Sequence, residues 1–274
     1  MPSFRVVTDS TADLPLEWRE RYGIEVVPLT VSFGDESFKD RVDLSDEQFF
    51  DRLSKASELP KTAAPAPGEF LKVYERLSKE SDGIISIHIG KNLSATADAA
   101  RVAAEQLGGF PVEVIDTGSV SMTLAFLCRI AAESASLQEA VAQVTERLPK
   151  LRIIALLDTL RYIEMGGRVG RAQAMIGTML DLKPMFGVSR EGIQTLDRVR
   201  TRGRAIPRMV ELLLQDQPLE HLAVMHAQAP EEAERLREQV RGGLPGLEIE
   251  IGQIGCVLGT HTGPRALGFV YIKR

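Results

Sequence analysis

The chain has 274 residues, 44% of them hydrophobic and 26% charged, enough for a large core and for two lobes. Its formal net charge of -5 at pH 7 argues against nucleic acid as a partner and leaves at most transient membrane contact. Two cysteines, Cys128 and Cys256, lie far apart and form no C-x-x-C pair, the pattern of reduced thiols in a cytoplasmic protein.

The opening MPSFRVVTDS has no basic segment followed by an apolar stretch, and the longest apolar runs are strand-sized. A water-soluble, cytoplasmic chain is therefore expected. Residues 4–8 predict a strand buried on both faces and residues 14–22 the helix after it. A strand over 25–33 and helices over 45–57 and 67–78 follow. Further buried strands are predicted over 84–89, 112–116 and 152–157. Between them run helices over 93–107 and 120–147, the latter broken near Ser136. Strands separated by helix-length segments are the pattern of a Rossmann-like parallel sheet covered on both faces.

After residue 160 the rhythm changes. Segments 183–188 and 194–198 flank Arg190-Glu191-Gly192, a hairpin turn in which glycine supplies positive φ. Helices over 204–215 and 230–241 and strands over 221–227, 247–251 and 268–272 complete the chain. The expected fold class is α/β in two lobes, residues 1–150 a parallel-sheet lobe and residues 151–274 a mixed α+β lobe.

Several predicted strands end in loops rich in hydroxyls and glycine: Asp9-Ser10-Thr11, Pro60-Lys61-Thr62, Leu93-Ser94-Ala95-Thr96 and Asp116-Thr117-Gly118-Ser119. In open α/β sheets ligands bind at the carboxyl ends of strands, where hydroxyl and backbone donors can hold an anion. Taken singly, Ser10, Ser94 and Thr117 have the helix N-cap as their plainer reading. Gly166-Gly167-Arg168-Val169-Gly170-Arg171 lacks the spacing of a nucleotide loop, and its plain reading is a glycine C-cap between a helix over 158–165 and an apolar helix over 172–180. Arg198, Arg200, Arg202 and Arg204 alternate, so an extended backbone would project all four to one side as a local positive patch. Gly259-Thr260-His261-Thr262-Gly263-Pro264 reads as a loop bringing backbone close to a ligand, with His261 able to donate to a carboxylate. His88, His221 and His226 show no metal-ligand spacing, so no metal is expected.

Taken together, Asp9-Ser10-Thr11-Ala12-Asp13-Leu14, Pro60-Lys61-Thr62, Pro65-Ala66-Pro67-Gly68, Ser86-Ile87-His88-Ile89 with Leu93-Ser94, Leu157-Asp158-Thr159-Leu160, Leu182-Lys183-Pro184 and Gly259-Thr260-His261-Thr262-Gly263-Pro264 resemble the DegV family. The resemblance runs in order through nearly the whole chain. It implies a non-catalytic carrier with one long-chain fatty acid such as palmitate in a tunnel between the lobes and no cofactor. It also implies an ATP-dependent fatty acid kinase subunit as partner, to which the carboxylate is presented for phospholipid synthesis. Thr62 and Ser94 match the residues that bind the carboxylate, and His261 a histidine beside it. Ser10, Thr262 and Gly263 match the head-group region. Arg168, Arg200 and Arg202 match arginines for kinase or phosphate contact. The chain departs from the family at Met165, at Ala95 and at Arg265, the last altering shape and charge in the head-group segment. A competing reading is an acyl hydrolase with Ser94 as nucleophile, His261 as base and Asp9 or Asp116 as orienter, although no G-x-S-x-G elbow is present.

Overall fold

A computed structural model describes residues 4–167, 183–189 and 191–274. Chain order begins with β1 (Phe4–Asp9), a 3-10 turn at Ser10–Ala12, α1 (Leu16–Tyr22), β2 (Glu25–Val27), β3 (Thr30–Phe33) and β4 (Glu36–Lys39). Next come α2 (Asp46–Lys55), β5 (Lys61–Ala63), α3 (Pro67–Leu77), β6 (Gly83–His88), α4 (Thr96–Gln106) and β7 (Val112–Asp116). After α5 (Met122–Glu133) and α6 (Leu137–Arg147) the chain enters β8 (Leu151–Leu156), α7 (Arg161–Met165), β9 (Lys183–Ser189) and β10 (Gly192–Val199). It ends with α8 (Arg202–Gln215), β11 (Leu219–His226), α9 (Pro230–Arg241), β12 (Ile249–Gln253), α10 (Cys256–Thr262) and β13 (Leu267–Lys273).

Among the described residues the strands form three sheets. The first, in order β2-β1-β6-β7, is parallel throughout. β6 is buried at every position, as a strand covered on both faces must be. The second, in order β10-β9-β8-β13-β11-β12, is antiparallel except for the β11–β12 pair. The third is small, with β3 between β4 and β5. No helix among the described residues is long and apolar enough to cross a membrane.

The lobes share their main core. α5 is buried from Met122 to Cys128 and touches β1 and β6 on one side and β11 and β13 on the other. A helix apolar all round needs such cover, which is why this one forms the layer between the sheets. The outer face of the parallel sheet packs under α3 and α4 through Phe70, Tyr74 and Ala100. The outer face of the six-stranded sheet packs under α8 and α9 through Met209, Leu213 and Leu236. These two covered faces leave the inner faces, and the loops between them, to build a site.

Several elements differ from the sequence expectation. The strand expected over 25–33 is two strands in different sheets, because Pro28 has no N–H to continue the ladder and the chain turns there. The Lys61-Thr62 loop is the edge strand β5, with Thr62 opposite Val31. The glycine-bracketed stretch at 259–263 is not a loop for the most part: Gly259 to Thr262 form the second half of α10. Gly259 permits the close approach of α10 to α2, since a Cβ there would lie 2.7 Å from Phe49. The arginine series does not share one face, since β10 ends at Val199 and α8 starts at Arg202. The apolar helix expected over 172–180 lies outside the described residues.

Candidate functional site

A cavity of about 1070 Å³, counting its open mouth, lies between the two lobes. From the parallel-sheet lobe it is lined by residues that follow strand carboxyl ends: Leu29 after β2, Ile89, Leu93 and Ser94 after β6, and Val120 and Ser121 after β7. From the other lobe it takes the inner face of the six-stranded sheet and the apolar side of α10.

Among the described residues, the polar side chains on the wall are Thr62, Ser94, Ser121, His261 and Thr262. Thr62 sits mid-strand in β5, and its Oγ1 lies 3.0 Å from His261 Nε2, joining residues far apart in sequence. His261 is in the last turn of α10. Its ring is pressed by Gly166 at the end of α7, where any side chain would collide with it. Gly166 and Gly167 act there as the expected helix terminus, Gly167 taking φ +67°.

Ser94 is not an N-cap. Helix α4 starts at Thr96 after Ala95, with no side-chain cap, and the Ser94 hydroxyl instead shares a 2.8 Å hydrogen bond with Thr96 Oγ1. Thr117 is likewise no cap: its hydroxyl donates to His88 O at 2.8 Å and braces the β6–β7 ends. Ser10 is spent on the fold, accepting from the Leu29 N–H at 3.1 Å, and it is not among the lining residues. Gly263 caps α10 at φ +72° against the Tyr162 ring and is also off the wall.

The hydrolase constellation does not assemble. Asp9 accepts from the Thr11 and Ile89 N–H groups and lies 3.0 Å from His88 Nδ1, all buried. Asp116 accepts from the Lys91 and Gly118 N–H groups. Neither aspartate orients His261, and the Ser94 hydroxyl meets Thr96 Oγ1 rather than the histidine.

The chain that folds this way matches a family model over nearly its whole length. Residues 3–274 match the model described as uncharacterised protein, DegV family. The chain belongs to the DegV family. A DegV domain-containing protein of Streptomyces coelicolor is 38% identical over 98% of both chains. Among solved structures, DegV of Bacillus subtilis, described as a fatty acid binding protein, has a TM-score of 0.91 at 32% identity and covers 100% of both chains. A DegV family protein from Thermus thermophilus, described by its fatty acid binding, has a TM-score of 0.92 at 28% identity, covering 99% of this chain and 100% of its own.

The arginines of this DegV chain divide sharply. Arg200 is exposed. Arg202 is largely buried, with Nε 2.6 Å from Glu232 and Nη1 3.7 Å from Asp158. It therefore does not form part of a free positive patch. Arg168 lies outside the described residues. Arg265, expected to alter the head-group segment, turns out to solvent and pairs with Glu232 at 3.2 Å.

Residues the sequence did not single out hold the two lobes in register. Asp13, fully buried, accepts from Ser121 Oγ at 2.7 Å and from the Gly255 N–H at 2.9 Å, tying the start of α5 to the start of α10. Burial raises its pKa to about 7, against the opposing charge of Arg41. Arg41 donates to Asp46 from Nε and Nη2 and to Gln253 O at 2.8 Å. Ser121 has φ +64°, a strained value for a non-glycine residue, in a site-lining position. Asp40, Asp46 and Cys256 place ligand-type atoms within 4.8 Å of one another, and Arg41 supplies the positive charge beside them. No sequence spacing links Asp13, Arg41 and Gly255; the signal is purely tertiary.

Proposed function

We propose that this chain is a fatty-acid carrier that encloses one long-chain acid, such as palmitate, between its lobes. The observation that carries the reading is an apolar cavity whose polar groups include Thr62 and His261 in mutual contact, with Ser94 on the same wall. Burying about sixteen carbons at roughly 0.8 kcal/mol per CH2 yields on the order of ten kcal/mol before the costs of association, enough for tight retention. The carboxylate then needs directed donors to offset its desolvation. In our reading the Thr62 and Ser94 hydroxyls provide them, Thr62 accepting from His261 Nε2 and Ser94 from Thr96 Oγ1, so that each O–H is left for the carboxylate with His261 beside it. The amino end of α4, two residues beyond Ser94, adds a favourable dipole. Solved relatives described as fatty acid binding support the same ligand class.

The chain has no assembled nucleophile in this scheme and acts by holding. It presents the carboxylate to an ATP-dependent fatty acid kinase subunit in the cytoplasm, and the acyl phosphate feeds phospholipid synthesis. Arg200, exposed beyond β10, is the arginine suited to that contact, with Arg168 a further member from the sequence resemblance. Displacement of a fluorescent polyene fatty acid by palmitate tests the carrier reading; a protein that takes up neither would refute it. For the presentation step, Arg200→Glu should keep palmitate bound while acyl-phosphate formation with ATP and a kinase subunit falls about tenfold or more. Unchanged transfer would remove Arg200 from the docking surface.

A further inference from the structure

The floor of the cavity is uneven in a way that bears on which acid fits. On the inner face of the six-stranded sheet, pairing aligns Met225 with Gly268, Gly268 with Ala155, and Ala155 with Phe186. This row crosses four strands and is large, absent, small, large. Met225 and Phe186 are 2% and 3% exposed, whereas Ala155 between them is partly exposed. The neighbours of Ala155 along β8, Ile154 and Leu156, face the opposite core under α8, so the exposure of Ala155 is exposure to the cavity. Gly268 is required by the sheet itself: a Cβ there would come within 2.7 Å of Ile154 O. The close β8–β13 pairing thus leaves bare backbone in the floor. One row on, Ile153 pairs with Val270, and both β-branched side chains rise into the wall.

We infer that Ala155 sets the length of acyl chain the cavity accepts, the chain lying in the notch over Ala155 and Gly268. This rests on the carrier reading. Rows on one sheet face are two residues, about 7 Å, apart, which corresponds to about five methylene groups of extended chain. Filling the notch with a large side chain therefore removes about that much room, while the polar groups at Thr62 and His261 stay untouched.

The test is a ladder of saturated acids from decanoic to stearic, titrated into delipidated wild-type protein and Ala155→Leu, with folding checked by thermal denaturation. Stearic acid should weaken by about tenfold or more in the variant and decanoic acid by less than about twofold. Ala155→Cys, closer in size to the native residue, gives a second readout, because native Cys128 and Cys256 are both buried. Bound stearic acid should protect this thiol from a methanethiosulfonate about tenfold. A folded Ala155→Leu with an unchanged ladder, or a Cys variant labelled equally fast with and without stearic acid, overturns the inference. Wild-type protein that binds no acid on the ladder fails the carrier reading instead, and this inference with it.

Discussion

Thr62 and His261 show how the candidate site is made from weak local signals. Neither is in a catalytic motif, yet the hydroxyl and the ring nitrogen meet at 3.0 Å across the lobe boundary. If they hold a carboxylate, Thr62→Val removes one charge-assisted hydrogen bond, a loss of about 1.5–3 kcal/mol. Fatty-acid affinity measured by calorimetry should then drop by roughly ten- to a hundred-fold, with melting temperature nearly unchanged. An unaltered affinity would move the carboxylate elsewhere. Asp13 carries a second prediction at this scale. Its folded pKa, about 7, lies above its ordinary 3.8, so the folded state holds a proton that the unfolded state gives up. That contribution is present in full below the ordinary value and is lost as pH rises through the folded value. Thermal stability of wild type relative to Asp13→Asn should therefore decline between about pH 4 and pH 7, as differential scanning fluorimetry would detect. A difference that stays flat across that window would show that Asp13 titrates normally.

At the scale of elements, the long periodic segments were legible and the short ones were not. β7 and α9 fall within the residues their patterns predict, and Ser45 caps α2 with the reciprocal capping box from Gln48. β5 has three residues and almost no pattern of its own; it exists because β3 offers an edge, and only that pairing places Thr62 on the cavity wall. Glycines misled most at α10. Gly259 reads in one dimension as part of a loop approaching a ligand, whereas its use is the contact of α10 with Phe49 and Phe50. Gly259→Ala should accordingly cost about 1–3 kcal/mol in urea unfolding through overpacking. It should also weaken ligand binding, since His261 rides on the same helix. A variant as stable as wild type would mean that α10 can shift away from α2 at little cost. The arginine series failed for a related reason: a change from strand to helix between Val199 and Arg202 breaks the alternation, and Arg202 finds acidic partners on other elements.

For the whole molecule, the two sheets and the buried α5 between them explain why a cavity forms where it does. Each sheet has one face covered by helices, α5 fills part of the space between the inner faces, and residues after β2, β6 and β7 line the remainder. The two-lobed α/β architecture was readable from the change of rhythm after residue 160. The shared core was not, since nothing in the sequence of α5 says that it packs on β1 and β13 at once. The interlobe ties through Asp13 and Arg41 were equally hidden, because their partners are backbone groups of Gly255 and Gln253, more than two hundred residues away. All of this architecture serves, in our account, to surround one acyl chain. Native mass spectrometry of the gently purified protein tests that directly. The account predicts a chain carrying one fatty acid of about sixteen carbons, the length whose burial supports retention through purification. A bare polypeptide mass that stays bare after incubation with palmitate would contradict it.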